Sequence, residues 1–226
     1  YAQQVYIDGK LLSEVGKVSD NAEEFIPATD RYTLYFTAQA DTTEIIIRHA
    51  WFNHRTGTIQ KLCLAKAPLI SANDRAQTVS DGLIAGTLLA MAIFFFGMFL
   101  LGNRKRSMMW FSLSCLTAAL HYLIYESKQI GVLFPYLDWY TEHKLEYITN
   151  ILYFVFILLY AFAALRLRPN KHFVVTSICS AGAILLFYIF TPSTVYTHFT
   201  VVAGAVMAVY LILSSVYICV MAVKHR

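Results

Sequence analysis

The sequence predicts a membrane protein in two parts: an N-terminal antiparallel β-sandwich over residues 1–75, then an α-helical transmembrane bundle of five spans over residues 76–226. Three observations predict it. Five long apolar runs follow one another through the later part of the chain, and none holds an Asp, Glu, Lys or Arg. The basic residues between the runs fall almost entirely on alternate connections. Ahead of the first run, short β-prone stretches alternate with turn signals and show no strong helical period.

The β part begins with Val5-Tyr6-Ile7-Asp8-Gly9-Lys10-Leu11-Leu12, an Asp-Gly pair between β-prone residues, which is a hairpin signal. Further strands are expected at Arg31–Phe36, at Glu44–His49 around Ile45, Ile46 and Ile47, and at Thr58–Leu64. Such strands need a second layer to bury one face, so the sheet is read as part of a partial jelly-roll sandwich. A handful of short strands makes a thin core for an independent domain. The expectation is therefore that earlier strands of this domain precede Tyr1; the sequence shows no signal peptide.

The spans are expected at 82–101, 108–125, 147–165, 173–190 and 199–223. Each is long enough to cross ~30 Å of hydrocarbon as a helix. Lipid leaves backbone polar groups no partner but each other, so only helices or closed barrels cross it, and long runs without alternation are not barrel strands.

Charge sets the orientation. Arg104, Lys105, Arg106, Arg166, Arg168, Lys171, Lys224 and Arg226 follow the first, third and fifth runs with no acid among them. The other connections hold Lys128 and Lys144 against Glu126, Asp138, Glu142 and Glu146. The positive-inside rule then places residues 1–80 outside and the carboxyl end in the cytoplasm. Residues 1–81 carry eight cations and ten acids, so the net charge of +4 arises wholly on the cytoplasmic side. Cations so placed are topology determinants that meet anionic lipid, which argues against a nucleic-acid partner. Cys63 stands alone in the outer part, and Cys115, Cys179 and Cys219 lie in spans, so neither a disulfide framework nor metal-site spacing emerges. No cofactor is implied.

Asp81-Gly82-Leu83-Ile84-Ala85-Gly86, the basic turn with Arg104 and Arg106, Leu120-His121-Tyr122-Leu123, Leu133-Phe134-Pro135 and Lys144-Leu145-Glu146-Tyr147 occur in an order that resembles bacterial seven-transmembrane receptors with diverse intracellular signalling modules. Val5 to Lys10, Gly16, Asn53-His54-Arg55 and Gly57 resemble the galactose-binding-like jelly roll that precedes the membrane part of many such receptors. The chain departs from the pattern with Gly57-Thr58 where a glycine pair is usual, and with His121 where an arginine is common. The resemblance implies a receptor of the bacterial cytoplasmic membrane, with two further spans and a cytoplasmic output module expected beyond Arg226.

Candidate ligand-binding residues fall in two places. His49, Trp51, Asn53 and His54 gather at the end of an expected strand, offering an aromatic face and planar hydrogen-bonding groups to a small ligand such as a sugar. The alternative is that Trp51 packs in the sandwich and Asn53 holds a turn. Within the membrane part, His121 is an ionisable group inside a span, with Tyr125 one turn along and Glu126 just beyond. Glu126, Asp138, Glu142 and Glu146, with His143 among them, make the outer loop acidic, and Glu146 stands at the expected start of the third span. They form either a ligand vestibule or helix-capping carboxylates, with Lys144 and Lys128 as available ion-pair partners. Gly82, Gly86 and Ala90, and Gly204 and Ala208, recur at a spacing that permits close helix approach, within the bundle or across a homodimer seam. Tyr136, Trp139, Tyr140, Tyr147 and Tyr196 are read as interfacial belt residues.

The functional reading is a non-enzymatic sensory receptor that detects an extracellular small ligand, such as a carbohydrate, and passes the signal inward. The alternative is a transporter or channel with an external β domain, a class marked by broken helices and midplane ionisable groups, which these proline-free spans do not show. A membrane-embedded enzyme would need a nucleophile with its base, paired carboxylates or a metal set, and no such spacing occurs.

Overall fold

The computed structural model describes residues 2–28, 33–52, 62–134, 136–165 and 171–224. Strand β1 (Ala2–Ile7) pairs antiparallel with both β2 (Lys10–Val15) and β3 (Ile45–Ala50), giving the order β2-β1-β3. Asp8 and Gly9 make the two-residue turn with φ of 49° and 78°, the doubly left-handed geometry that matches strand twist and that Asp-Gly tolerates. The same Asp8 anchors the third strand: its N–H donates to the Glu44 carbonyl at 3.0 Å, and its Oδ1 accepts from the Glu44 N–H at 2.9 Å. After β2 the chain doubles back through a bridge between Lys17 and Ile26. Gly16, at φ 68°, makes this return possible, because a β-carbon there would collide with the Ile26 carbonyl. Ala2, Val5 and Phe25 are buried, and Phe25 meets Phe52 edge-on at 5.2 Å.

The hairpin and the Ile45-Ile46-Ile47 strand thus form as the sequence predicts. Two other expected strands do not form in the described part. Residues 33–36 of the Arg31–Phe36 stretch pair with no strand, and Tyr35 is exposed. Composition favours a strand there, but β-propensity acts only through a partner; instead the Thr33 hydroxyl donates to the Asp74 carboxylate at 2.6 Å. Of Thr58–Leu64, residues 62–64 belong to no strand, and residues 58–61 lie outside the described set. The described β part is one three-stranded sheet.

Five long apolar helices follow: α1 (Ala67–Met98), α2 (Arg106–His121), α4 (Trp139–Ala164), α5 (Lys171–Phe190) and α6 (Ser193–Lys224), with a single-turn α3 (Ile130–Leu133) between α2 and α4. The chain is a multi-pass membrane protein. Helix α1 starts well ahead of the apolar run because Asn73, Asp74, Arg75 and Gln77 are compatible with a helix, though not with lipid. At 1.5 Å per residue its 32 residues span about 48 Å, some 18 Å more than the hydrocarbon layer. Two helices end in π-helical turns, Phe99–Asn103 after α1 and Tyr122–Glu126 after α2. The first contains Gly102 at φ 155°, which kinks the chain just before Arg104.

Helix α4 is the hub, touching α2, α5 and α6, while α1 packs on α2. Aromatic pairs make much of this contact: Phe95–Phe111 at 4.7 Å, Phe111–Tyr160 at 4.9 Å and Trp110–Phe156 at 6.0 Å. Ser112 donates to the Ala92 carbonyl at 2.7 Å, tying α2 to α1. The small-residue stripes do not serve this packing. A β-carbon on Gly82, Gly86 or Gly204 would meet nothing within 4 Å, and Ala90 and Ala208 are exposed. It is Asp81, Ala85 and Ala92 that α1 buries, so the glycine face of that helix points away from its neighbours.

Candidate functional site

The end of the bundle nearer the sheet is where polar and ionisable side chains converge. Asp138 caps α4: its Oδ2 accepts from the Thr141 N–H at 3.2 Å and its Oδ1 from the Thr141 hydroxyl at 2.6 Å. The Thr141 hydroxyl, followed by backbone N–H bonds, holds the Asp138 carboxyl below the usual carboxylate range. Glu142 shares that first turn, where the helix dipole favours acids.

Glu146 is placed differently from the sequence expectation. Helix α4 begins at Trp139, so Glu146 lies two turns inside it, beyond the reach of the helix terminus. Its carboxylate meets neither lysine named for it. It lies 3.4 Å from His143 Nδ1, with both side chains largely buried (16% and 11% exposed), while Lys144 donates to the Ile189 carbonyl at 3.0 Å. Aromatic rings wall this pair. The His143 ring stacks on Trp139 at 4.9 Å and meets Tyr147 at 5.1 Å and Tyr196 at 5.9 Å. Tyr147, Tyr188 and Tyr196 lie 5.0–5.5 Å from one another, joining α4, α5 and α6.

Tyr196 corrects the belt reading. It is 0% exposed, and its hydroxyl has no hydrogen-bond partner among the described residues. Starting α6 at Ser193 places Tyr196 in a first turn that faces α4 and α5 rather than headgroups. Tyr136, by contrast, is fully exposed, as a belt residue would be.

His121 joins this end of α4 from α2. Its Nδ1 lies 3.2 Å from the Glu146 carbonyl and 3.3 Å from Thr149 Oγ1. A carbonyl only accepts, so Nδ1 carries the proton in this contact. The His121 ring also stacks on Tyr125 at 5.6 Å, on the shared face that the sequence predicts. Glu126 closes the π-helical turn and is exposed. Of the candidate residues in the membrane part, the structure therefore brings His121 and Glu146 together and leaves Glu126 on the rim.

Asp81 and Tyr122 enter the sequence reading only through the resemblance, without a site role. Asp81 is 5% exposed, and its Oδ1 accepts from the Tyr122 hydroxyl at 2.8 Å. The available signal was an acid immediately before an apolar run.

The second candidate cluster sits at the end of β3. Trp51 is 45% exposed, with its ring 5.3 Å from His49, so it is a surface ring rather than a sandwich core residue. Burial holds the His49 imidazole below its ordinary range. Asn53 and His54 lie outside the described residues. Among the described residues no group of three or more His, Cys, Asp or Glu side chains is arranged to hold a metal ion.

A bundle of long apolar helices, with ionisable side chains meeting at its sheet-proximal end, defines a multi-pass membrane protein. Residues 77–226 match the family described as 7TM diverse intracellular signalling, and the chain belongs to that family. It is a membrane signalling receptor by family. No curated protein and no solved structure matches the chain.

Proposed function

We propose that this chain detects an extracellular small ligand of carbohydrate type and passes the event through the bundle to a cytoplasmic output module, in the cytoplasmic membrane of a bacterium. The observation that carries the reading is the gathering of His121, His143 and Glu146 with Trp139, Tyr147 and Tyr196 at the sheet-proximal end of the helices. Charge supports the orientation: Arg104, Lys105, Arg106 and Lys171 lie at the opposite end, which the positive-inside rule assigns to the cytoplasm. In this reading residues 1–75 are an external jelly-roll-like unit and residues 76–226 the transmitting bundle. Trp51, with Asn53 and His54 beside it in sequence, offers the aromatic platform for a sugar ring. His121, Glu126 and Glu146 line the vestibule below. The protein acts by binding rather than turnover, and the outward glycine face of α1 suits a homodimer.

Binding shifts a receptor only if the ligand's affinity differs between two bundle arrangements. The test is carbohydrate-array binding by the full chain in nanodiscs, with hits confirmed by calorimetry. Trp51→Ala or Glu146→Gln is expected to weaken binding about tenfold, the effect of ~1.4 kcal/mol. A folded preparation that binds no sugar removes the ligand class. Binding that survives both substitutions removes the sites. Labelling by a membrane-impermeant thiol reagent at Cys63, but not at a cysteine introduced at Lys105, tests the orientation.

A further inference from the structure

Helix α1 is continuous from the sheet module to the membrane part, and one of its faces carries two hydrogen-bonded carboxylates. Asp74 accepts from the Thr33 hydroxyl at 2.6 Å, and Asp81 accepts from the Tyr122 hydroxyl at 2.8 Å. Seven residues separate them, which is two helical turns, about 10 Å along the axis, so both carboxylates lie on nearly the same face. Thr33 belongs to the segment that leads into β3, and Tyr122 to the end of α2. One continuous helix therefore has the segment leading into β3 at one carboxylate and the bundle at the other.

The receiving end is a junction. The Tyr122 carbonyl accepts from the Ser127 N–H at 3.0 Å, the i to i+5 bond that closes the π-helical turn. The preceding residue, His121, is bonded to α4 through the Glu146 carbonyl and Thr149. Two adjacent residues thus hold the end of α2 to α1 on one side and to α4 on the other. Turns of π geometry are uncommon and frequently occur at functional sites. Asp81 is buried, so releasing its hydroxyl partner strips a carboxylate of a bond it cannot replace with bulk water.

We propose that the Asp81–Tyr122 hydrogen bond couples the sheet module to the bundle, with α1 as the lever and the π-helical turn of α2 as the element that responds. Asp81 and Tyr122 are positioning residues in this scheme and need not touch a ligand. The inference draws its purpose from the receptor reading, but its measurement needs no ligand. A failed sugar screen and a failed coupling test are therefore distinct results.

The experiment is a double-mutant cycle on the full chain in nanodiscs, read by amide hydrogen exchange across residues 122–127. Asp74→Ala frees the outer end of α1, and Tyr122→Phe removes the bond while keeping the ring. Asp74→Ala alone is expected to speed exchange in the π-helical turn about threefold, although Asp74 does not touch that turn, because its effect would travel along α1 to Asp81. In the Tyr122→Phe background, Asp74→Ala is expected to add nothing further. Asp81→Asn, whose amide oxygen still accepts from the hydroxyl, repeats the cycle should Tyr122→Phe fail to fold, with an expected response to Asp74→Ala intermediate between the two. An Asp74→Ala effect that is absent in the otherwise unmodified chain, or equal with and without the Tyr122 hydroxyl, overturns the proposal.

Discussion

Replacing Tyr196 by Phe is expected to stabilise the bundle. The ring is fully buried and makes aromatic contacts with His143, Tyr147 and Tyr188 at 5.4–5.9 Å, all of which phenylalanine retains. Only the oxygen is lost, and that oxygen has no hydrogen-bond partner among the described residues. A buried polar group left unpaired costs ~1–3 kcal/mol. Deleting one atom from a packed ring wall leaves a void smaller than a methyl group, worth less than ~1 kcal/mol. The balance favours Tyr196→Phe by about 1–2 kcal/mol. For a chain of this length each kcal/mol moves the midpoint by about 2–4 °C, so thermal unfolding in detergent resolves the effect. A destabilisation beyond ~0.5 kcal/mol would refute the reasoning, because it would mean the hydroxyl is already satisfied. A polar group kept unpaired at a cost in stability is what a binding site retains. The same substitution is therefore expected to weaken any ligand that occupies the vestibule.

Three other substitutions test local claims. Gly16→Ala combines a left-handed φ with a collision against the Ile26 carbonyl, and is expected to cost ~1–3 kcal/mol, read as faster proteolysis of the sheet module. Asp138→Ala removes the α4 cap and is expected to cost ~1 kcal/mol near neutral pH in denaturant unfolding. Because the folded-state pKa of Asp138 is lowered, its contribution is full above the unfolded carboxyl value of ~3.9 and is lost as pH falls through the lower folded value. The difference between Asp138→Ala and the unmodified chain should therefore narrow below pH ~4. Gly86→Leu meets open space, so monomer stability should change by less than ~0.5 kcal/mol. If the glycine face is a homodimer seam, the same substitution should abolish dimers in cross-linking, and dimers that persist would exclude that seam.

What was legible in the sequence was what depends on local chemistry. Asp8-Gly9 specifies its turn through backbone freedom, and the spans follow from hydropathy because lipid admits little else. Reading helix ends from hydropathy, however, makes every helix stop where its apolar run stops. That criterion cut the polar outer turns from α1, and it placed Glu146 at a helix start when the true start is Trp139. The same error put Tyr196 among headgroups. Its neighbours are Tyr147 and Tyr188, and no spacing rule joins residues on three helices. Tyr122 and Asp81 are 41 residues apart, and neither the π-helical turn nor the bond it supports has a sequence signature. Candidate chemistry was therefore visible as residue types, but its pairing was decided by tertiary contact.

That pairing separates two kinds of polar group in the bundle. Thr87, Thr117, Ser177, Thr197 and Ser214 each donate to a carbonyl one turn back, so they are satisfied within their own helix and place no constraint on a neighbour. Bonds that cross between helices do constrain. Ser112 to Ala92 and Ser180 with Tyr210 lie along the shafts, while Tyr122 to Asp81, His121 to Glu146 and Lys144 to Ile189 all lie at the sheet-proximal end. Lipid supplies no hydrophobic drive to hold helices together, so elsewhere they are held by packing, including the Phe95–Phe111, Phe111–Tyr160 and Trp110–Phe156 ring contacts. Directional bonds have discrete made and broken states. In the proposed receptor, the bonds where α1 descends from the sheet would be the set that an external event changes, with Ser112–Ala92 and Ser180–Tyr210 holding the shafts.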